Sequence, residues 1–291
     1  MTVTDAGAKG KAIAKAPDGR VIFINNAVPG DVIDVQTTKQ RKAYYEGSAI
    51  AIHKESPKRT EPVCKHFGTC GGCKWQNMQY EAQLEYKQRE VENNLKRLGK
   101  LELPPVTPIA GSEDIYFYRN KMEFSFSDSK WLTLKQIKSD EVIEDRNALG
   151  FHIPGMWDKI LDIDKCWLQR DPSNAIRNGV KEFATRHNIP FFNTRNQEGL
   201  LRTLMIRTTS TDELMVLIQF FADDKESREL VLDFLKESFP QITSLLYVIN
   251  EKGNDTIYDQ EVICYAGRDH IFEEMEGLKF KINAKSFYQT N

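Results

Sequence analysis

Short apolar runs separated by turn residues fill residues 1–55. The segments 17–19 and 29–30 are rich in Pro, Asp and Gly, which favour tight turns. Several short strands at this spacing predict a small closed or partly closed β-barrel. Barrels of this size often bind nucleic acid through basic loops and exposed aromatic side chains. The predicted strands are 10–15, 20–24, 31–35 and 44–52.

A helical repeat replaces the strand pattern after a polar linker at 53–61. Apolar side chains recur at helical spacing over 76–98, and Gly99 follows them. This pattern predicts one long helix whose opposite face is charged and solvated. The apolar positions are Tyr80, Leu84, Val91, Leu95 and Leu98.

Strand-like alternation returns from Tyr116 onwards. Met122, Phe124 and Phe126 fall on one side of a predicted strand, with polar residues between them. The strands and helices that follow predict an α+β fold with a mainly antiparallel sheet. The further predicted strands are 147–152, 159–164, 200–208, 213–221, 244–250 and 261–266, and the predicted helices are 172–187 and 225–237.

Composition places the chain among soluble proteins with room for two domains. Its 291 residues are 40% hydrophobic and 28% charged, as in ordinary globular proteins, and no apolar stretch is long enough to cross a membrane. The N-terminus shows no signal peptide, so we expect a cytoplasmic protein.

The net charge of −2 hides an asymmetry along the chain. Residues 1–100 contain 17 Lys and Arg against 11 Asp and Glu, a net of +6, and residues 101–291 have a net of −8. A basic N-terminal part on an acidic body suggests a polyanionic partner. A basic tip at Lys39, Arg41 and Lys42, followed directly by Tyr44 and Tyr45, fits nucleic-acid binding by the predicted barrel.

Four cysteines are the candidates for metal or redox chemistry. Cys64, Cys70 and Cys73 lie close together, and Cys166 lies far downstream. In a reducing compartment such clustering indicates a metal ion or an iron–sulfur cluster rather than disulfides. Three close ligands plus one remote ligand are more typical of iron–sulfur sites than of zinc. Spacing alone leaves both open, with His66 as the alternative zinc ligand to Cys166.

Several motifs together resemble the iron–sulfur RNA uracil-5-methyltransferases. They are the cysteine loop followed by Lys74-Trp75-Gln76 and a long helix, the runs 118–124 and 148–152, and the isolated Cys166. The chain is most similar to the bacterial group that methylates uridine in 23S ribosomal RNA. Residues 1–55 resemble the TRAM domain found in that group, whereas the related tRNA uridine-54 enzymes generally lack this domain and the cluster.

This resemblance implies two cofactors, an RNA partner and the roles of several residues. A 4Fe-4S cluster would be held by Cys64, Cys70, Cys73 and Cys166, and S-adenosylmethionine would donate the methyl group. The family's match to Gln289 contacts the methyl donor. For 23S rRNA as partner, we predict phosphate contacts from the basic residues of the barrel, an RNA-facing segment at 119–121 and an aromatic near the target nucleotide. The predicted RNA-binding residues are Lys11, Lys39, Arg41, Lys42, Arg119, Lys121 and Phe287.

The family mechanism uses residues that this sequence does not match. In the family, a cysteine thiolate adds to carbon 6 of a flipped-out uracil, carbon 5 takes the methyl group, a base removes the carbon-5 proton and the cysteine leaves. Cys264 does not match that nucleophile and is predicted to be an inert core thiol. We therefore predict no catalytic residue here, a missing Rossmann-like methyltransferase domain, and no activity for the chain alone.

The predicted domain order is a small OB-like (TRAM) barrel at 1–55, a central iron–sulfur domain at 56–281 and the start of a methyltransferase domain at 282–291. The helix over 76–98 is predicted to pack on the missing domain. The alternative hypothesis is a non-catalytic RNA-binding module that holds zinc or a cluster. A redox protein is a third hypothesis, disfavoured because the N-terminal part is basic and no second cofactor motif is present.

Overall fold

The computed structural model describes residues 1–139 and 142–288, which form two compact units. The first unit comprises Met1–Gly68 and Gly72–Ile115, and the second comprises Thr69–Gly71 and Tyr116–Asn291. Within the described ranges no helix combines the length and the apolar character that a membrane span requires.

A five-stranded sheet opens the first unit. Its strands are β1 (Asp5–Ala6), β2 (Ala12–Lys15), β3 (Val21–Asn25), β4 (Val32–Gln40) and β5 (Tyr44–Lys54). They lie in the order β1-β2-β3-β5-β4, and among these strands only β3 and β5 pair in parallel. An antiparallel bridge between Thr2 and Val32 joins the start of the chain to β4, so the sheet closes into a small barrel. Ile22, Ile24 and Ile33 fill its core, because alternate side chains of a strand face the same side.

A buried carboxylate ties this barrel to the linker that follows it. Asp31 is fully buried and accepts hydrogen bonds from the backbone N–H groups of Val28 (2.7 Å) and Ser56 (2.9 Å). The Arg59 guanidinium donates to both carboxylate oxygens of Asp31, from Nε at 2.9 Å to one oxygen and from a terminal nitrogen at 2.8 Å to the other. A buried charge needs such complete pairing to be tolerated.

The helix α1 (Tyr80–Asn93) packs on the barrel through a face that differs from the predicted one. Ala82 and Tyr86 are its buried residues, and they share an apolar cluster with Ala6 and Val28 of the barrel. Ala82 lies outside the predicted stripe at Tyr80, Leu84 and Val91, so the apolar periodicity of the large side chains indicated a different face.

The predicted apolar stripe of this helix is largely exposed at its C-terminal end. Val91, Leu95 and Leu98 all lie open to solvent, and the last two belong to a π-helical turn at Asn94–Leu98. The prediction of one regular helix over 76–98 is therefore wrong at both ends.

A seven-stranded sheet forms the centre of the second unit. Its strands are β6 (Lys121–Ser127), β7 (Ala148–His152), β8 (Ile160–Asp162), β9 (Leu201–Thr208), β10 (Leu214–Phe220), β11 (Ser244–Ile249) and β12 (Ile263–Gly267). The order is β12-β11-β10-β9-β6-β7-β8, and only the β10–β11 pair is parallel among them. Met122, Phe124 and Phe126 are buried, as their alternation predicted.

Different elements cover the two faces of this sheet. The remaining elements are α2 (Leu134–Ile137), α3 (Ser173–Arg186), α4 (Lys225–Ser238), β13 (His270–Met275) and β14 (Leu278–Asn283). On one face, Arg177 of α3 lies over the ring of Phe124 at 5.0 Å. On the other, Ile271 of the β13–β14 hairpin shares an apolar cluster with Met205 and Leu217. Polar residues of β6, β9 and β10 therefore lie beside the hairpin.

Candidate nucleic-acid interface

The predicted basic tip is a tight turn between β4 and β5. The backbone N–H of Arg41 donates to the carbonyl of Tyr44 at 2.8 Å, and the side chains of Arg41 and Lys42 are exposed. Within the described ranges neither side chain forms a salt bridge. Exposed cationic side chains on a turn between two paired strands are suited to phosphate contacts.

The other two predicted phosphate contacts of the barrel share one counter-charge. Lys11 lies 3.7 Å and Lys39 lies 3.8 Å from the carboxylate oxygens of Glu46, which faces Lys39 across the β4–β5 pair. Ion pairs this exposed contribute little stability, so both lysines can leave Glu46 for another anion at small cost.

The two tyrosines beside the tip are already engaged in protein contacts. The ring of Tyr44 packs edge-on against Phe23 at 5.5 Å. Arg20 lies 4.1 Å above the ring of Tyr45, whose hydroxyl donates to Asp18 at 2.9 Å. Hydrogen bonding from the backbone N–H and guanidinium of Arg20 lowers the pKa of the Asp18 carboxyl. We conclude that these rings support the tip instead of offering a free stacking face.

The cysteine loop is closed by a glutamine side chain. Gln76 accepts a hydrogen bond from the backbone N–H of Cys64 at 3.2 Å and donates one to the sulfur of Cys73 at 3.2 Å. The Thr69–Gly71 segment, which contains Cys70, belongs to the second unit, as does the buried Cys166.

The described residues do not support the predicted cluster. Among residues 1–139 and 142–288, no set of three or more His, Cys, Asp or Glu side chains is arranged as a metal-binding group. The iron–sulfur prediction came from the cysteine spacing together with the family resemblance, and neither of them fixes where the sulfur atoms point.

Cys264 is exposed, so its prediction as a core thiol is wrong. It lies on β12, at one edge of the seven-stranded sheet, where an apolar sequence run does not guarantee burial. Partial desolvation still raises the pKa of this thiol, which keeps it in the unreactive protonated form at neutral pH.

Arg119 and Lys121 stand at the start of β6 in the second unit. The backbone N–H of Arg119 donates to the carbonyl of Leu168 at 2.7 Å, which fixes the chain just before the strand. Lys121 pairs with Glu123 at 2.5 Å on the same strand face. Their roles in binding RNA stay predictions.

Phe287 projects from a chain segment that one buried arginine holds in place. The Phe287 side chain is 98% exposed. Arg207 donates to the carbonyls of Tyr288 (2.8 Å), Ser286 (2.7 Å) and Ala284 (3.3 Å). Burial lowers the pKa of this guanidinium, and the charge of Glu123 opposes that shift. Gln289, predicted to contact the methyl donor, lies outside the described residues.

Sequence reasoning missed Arg207, although a signal existed. Arg207 directly follows the apolar run Leu204-Met205-Ile206 of a predicted strand, and an arginine buried there must find acceptors. These acceptors are the carbonyls of Ala284, Ser286 and Tyr288.

Residues 1–50 match the family model of the TRAM domain. The first unit of the chain begins with a TRAM domain. The predicted TRAM resemblance is thereby confirmed.

Curated relatives cover nearly the whole chain. An uncharacterized RNA methyltransferase of Bacteroides thetaiotaomicron is 53% identical over 98% of the chain and 63% of its own length. One of Porphyromonas gingivalis is 52% identical over 100% of the chain and 63% of its own length. The chain thus spans about three fifths of the length of these relatives.

A solved structure shows the same fold along the chain. The Pyrococcus abyssi tRNA (uracil-54, C5)-methyltransferase, in complex with S-adenosyl-L-homocysteine, matches 100% of this chain and 61% of its own with a TM-score of 0.70 and 23% identity.

This match corrects two sequence predictions. A missing Rossmann-like domain and an inactive chain were both predicted because the sequence does not match the family's catalytic residues. Every part of the chain aligns with a methyltransferase structure, so the prediction of a chain that lacks this fold is wrong. The same match contradicts the prediction of an inactive chain. Neither inference is retained.

Proposed function

We propose that this protein is an S-adenosylmethionine-dependent RNA uracil-5-methyltransferase and that the TRAM domain and β6 supply RNA contacts. The proposal rests on a TRAM domain with an exposed basic tip in a chain whose relatives are RNA methyltransferases at 52–53% identity. The solved neighbour, a uracil-C5 methyltransferase with S-adenosyl-L-homocysteine, supports the reaction and the methyl donor.

Each proposed contact has a distinct task. Lys11, Lys39, Arg41 and Lys42 bind phosphates of the RNA backbone, which gives affinity but no sequence selection. Arg119 and Lys121 bind the RNA from the second unit, and Phe287 stacks near the target nucleotide. S-adenosylmethionine supplies the methyl group, and Gln289 helps to bind it.

We propose 23S ribosomal RNA as the substrate and the cytoplasm as the location. The family resemblance supports this choice, because the motifs of the chain are most similar to those of the enzymes that methylate uridine in 23S ribosomal RNA. A tRNA substrate is the competing possibility, given the solved neighbour.

Mapping 5-methyluridine in cells that lack the gene tests this function. In the organism that encodes the protein, we expect deletion to remove 5-methyluridine from 23S rRNA, as measured by nucleoside mass spectrometry, and to leave tRNA unchanged. The intact gene should restore the modification, and a copy with Lys39, Arg41 and Lys42 replaced by alanine should restore less. Loss confined to tRNA would move the substrate to tRNA, and no loss in either RNA would contradict the reaction.

We also propose, from the cysteine pattern and the family resemblance alone, that the intact protein contains a 4Fe-4S cluster. Protein purified without oxygen should then contain about four iron and four sulfide per chain. Cys166→Ser should lose most of the iron, whereas Cys264→Ser, at the exposed cysteine, should keep it. One zinc without iron would favour the zinc hypothesis, and the absence of both metals would contradict a metal site.

A further inference from the structure

A groove of about 450 Å³ opens on the first unit, beside the linker that follows the barrel. Its volume lies within the range of about 300–1,000 Å³ that is usual for ligand sites. Most of the residues that line it are exposed, so it is open to solvent and can admit a group that is attached to a larger molecule. Its lining includes Glu55, Arg59, Thr60, Glu61, Phe67 and Asn77.

Two carboxylates line this groove without a cation to balance them. Glu55 and Glu61 are exposed, and within the described ranges neither carboxylate takes part in a salt bridge or a hydrogen bond. Arg59, which also lines the groove, is already paired with the buried Asp31. The groove therefore carries negative charge on a unit that is otherwise basic, so it attracts a cation and repels RNA phosphates.

A buried amide with no partner faces the same groove. Asn77 is 5% exposed. Its backbone carbonyl accepts from the N–H of Thr60 at 3.1 Å, whereas its side-chain amide has no hydrogen-bond partner among the described residues. Both amide atoms remain accessible to solvent, because every enclosed polar side-chain atom that lacks a partner in the described ranges belongs to another residue. Since most buried polar groups in folded proteins are satisfied, this amide indicates a ligand that hydrogen-bonds to it.

Pairing between the linker and residues 77–79 holds the groove in place. Arg59 and Met78 form an antiparallel bridge. The side-chain amide of Gln79 donates to the carbonyls of Pro57 (3.0 Å) and Arg59 (3.2 Å). A site that is fixed before binding loses less conformational entropy when its ligand arrives.

The chemistry of the lining favours an organic cation with a planar face. Within the described ranges no three His, Cys, Asp or Glu side chains form a metal-binding group, so a metal ion would find only two carboxylates here. The half-buried ring of Phe67 lines the groove as well, and guanidinium groups stack on aromatic rings. A guanidinium also carries five N–H donors in a fixed fork, which matches carboxylate and amide oxygens better than an ammonium does.

We propose that this groove binds the guanidinium group of an arginine side chain on a basic polypeptide. Glu55 and Glu61 accept hydrogen bonds from the guanidinium. Asn77 Oδ1 accepts a further one, and the plane of the group stacks on Phe67. The open ends of the groove leave room for the chain on both sides of the arginine. This inference goes beyond the proposed function and does not depend on it, because a protein and not RNA occupies the site.

Fluorescence polarisation with the full chain and a labelled peptide of alternating glycine and arginine tests the site. We expect this peptide to bind more tightly than its lysine and citrulline counterparts, because lysine lacks the planar fork and citrulline lacks the charge. Glu55→Gln/Glu61→Gln should weaken binding of the arginine peptide about 3- to 30-fold. Glu81→Gln/Glu102→Gln is the matched control and should bind like wild type, since it removes the same charge at two exposed glutamates of the same unit that do not line the groove.

Asn77→Leu separates recognition of the guanidinium from attraction of charge. Leucine has a similar volume but no acceptor, so the preference for the arginine peptide over the lysine peptide should fall. Far-ultraviolet circular dichroism shows whether this variant is folded, and the variants at the exposed glutamates decide the question if it is not.

Four results would overturn the proposal. Equal weakening in the groove and control variants would mean that net charge attracts the peptide, and equal binding of the arginine and lysine peptides would exclude recognition of a guanidinium. Displacement of the peptide by MgCl₂, at an ionic strength where NaCl does not displace it, would make a metal ion the occupant. Competition by free argininamide at the same arginine concentration as the peptide would indicate a small-molecule site and exclude a polypeptide partner.

Discussion

Replacing Asp31 by alanine is expected to lower the free energy of unfolding of the first unit by about 3–5 kcal/mol. The substitution removes the acceptor for two backbone N–H groups and leaves the Arg59 guanidinium without its bidentate partner. Urea unfolding followed by fluorine NMR of 5-fluorotryptophan measures this loss, because Trp75 is the one tryptophan of the first unit. Its resonance should shift to the unfolded position at lower urea.

Asp34 offers the matched control for this experiment. It lies on β4, close to Asp31 in sequence, but its carboxylate is exposed and pairs only with His53 at 2.9 Å among the described residues. Asp34→Ala should therefore cost about 1 kcal/mol or less. The double variant Asp31→Ala/Arg59→Ala should lose less than the sum of the two single variants, because the remaining charge is no longer buried alone. Equal losses for Asp31→Ala and Asp34→Ala would contradict a special role for the buried pair.

Strands with a strict alternation were predictable, and their functional side chains were not. The pattern at Met122, Phe124 and Phe126 gives the buried face of β6 directly, because a strand repeats every two residues. The same pattern makes Lys121 and Glu123 look like ordinary solvated residues, yet they line a cavity. Which polar face meets solvent depends on what the hairpin and the loop at 250–262 cover, and strand periodicity contains no information about that.

The hairpin itself escaped prediction for a related reason. β13 and β14 bury only Ile271, Glu273 and Ile282 and otherwise consist of exposed or half-buried residues, so neither strand shows a clear apolar run. Its turn signal was present: Glu276 and Gly277 both adopt positive φ, at 52° and 77°, as a two-residue hairpin turn requires. The buried Arg207 and Gln219 could have been noticed as polar residues inside apolar strands, but their partners lie far away in sequence.

Replacing Arg207 by methionine is expected to lower the free energy of unfolding of the second unit by about 3–5 kcal/mol and to release the segment at 284–288. Methionine fills much of the space but donates no hydrogen bond, so three carbonyls of this segment lose their shared donor. Limited trypsin digestion reports the release locally, because Lys285 lies inside the segment and is half-buried in the folded chain. Cleavage after Lys285 should become faster, and urea unfolding of the resonances of Trp131, Trp157 and Trp167 should shift to lower urea.

Arg207→Lys separates the loss of hydrogen bonds from the loss of charge. Lysine keeps the positive charge but presents a single ammonium group instead of a planar fork, so it can reach only part of the three carbonyls. We expect an unfolding free energy between those of wild type and Arg207→Met, with cleavage after Lys285 still faster than in wild type. If Arg207→Lys matches wild type in both measurements, charge alone holds the segment and the fork geometry is unimportant. If Arg207→Met also leaves the cleavage rate unchanged, the three carbonyl contacts do not position Phe287, and the segment must be held by the packing of Tyr288 and Ala284 on the Met205 cluster.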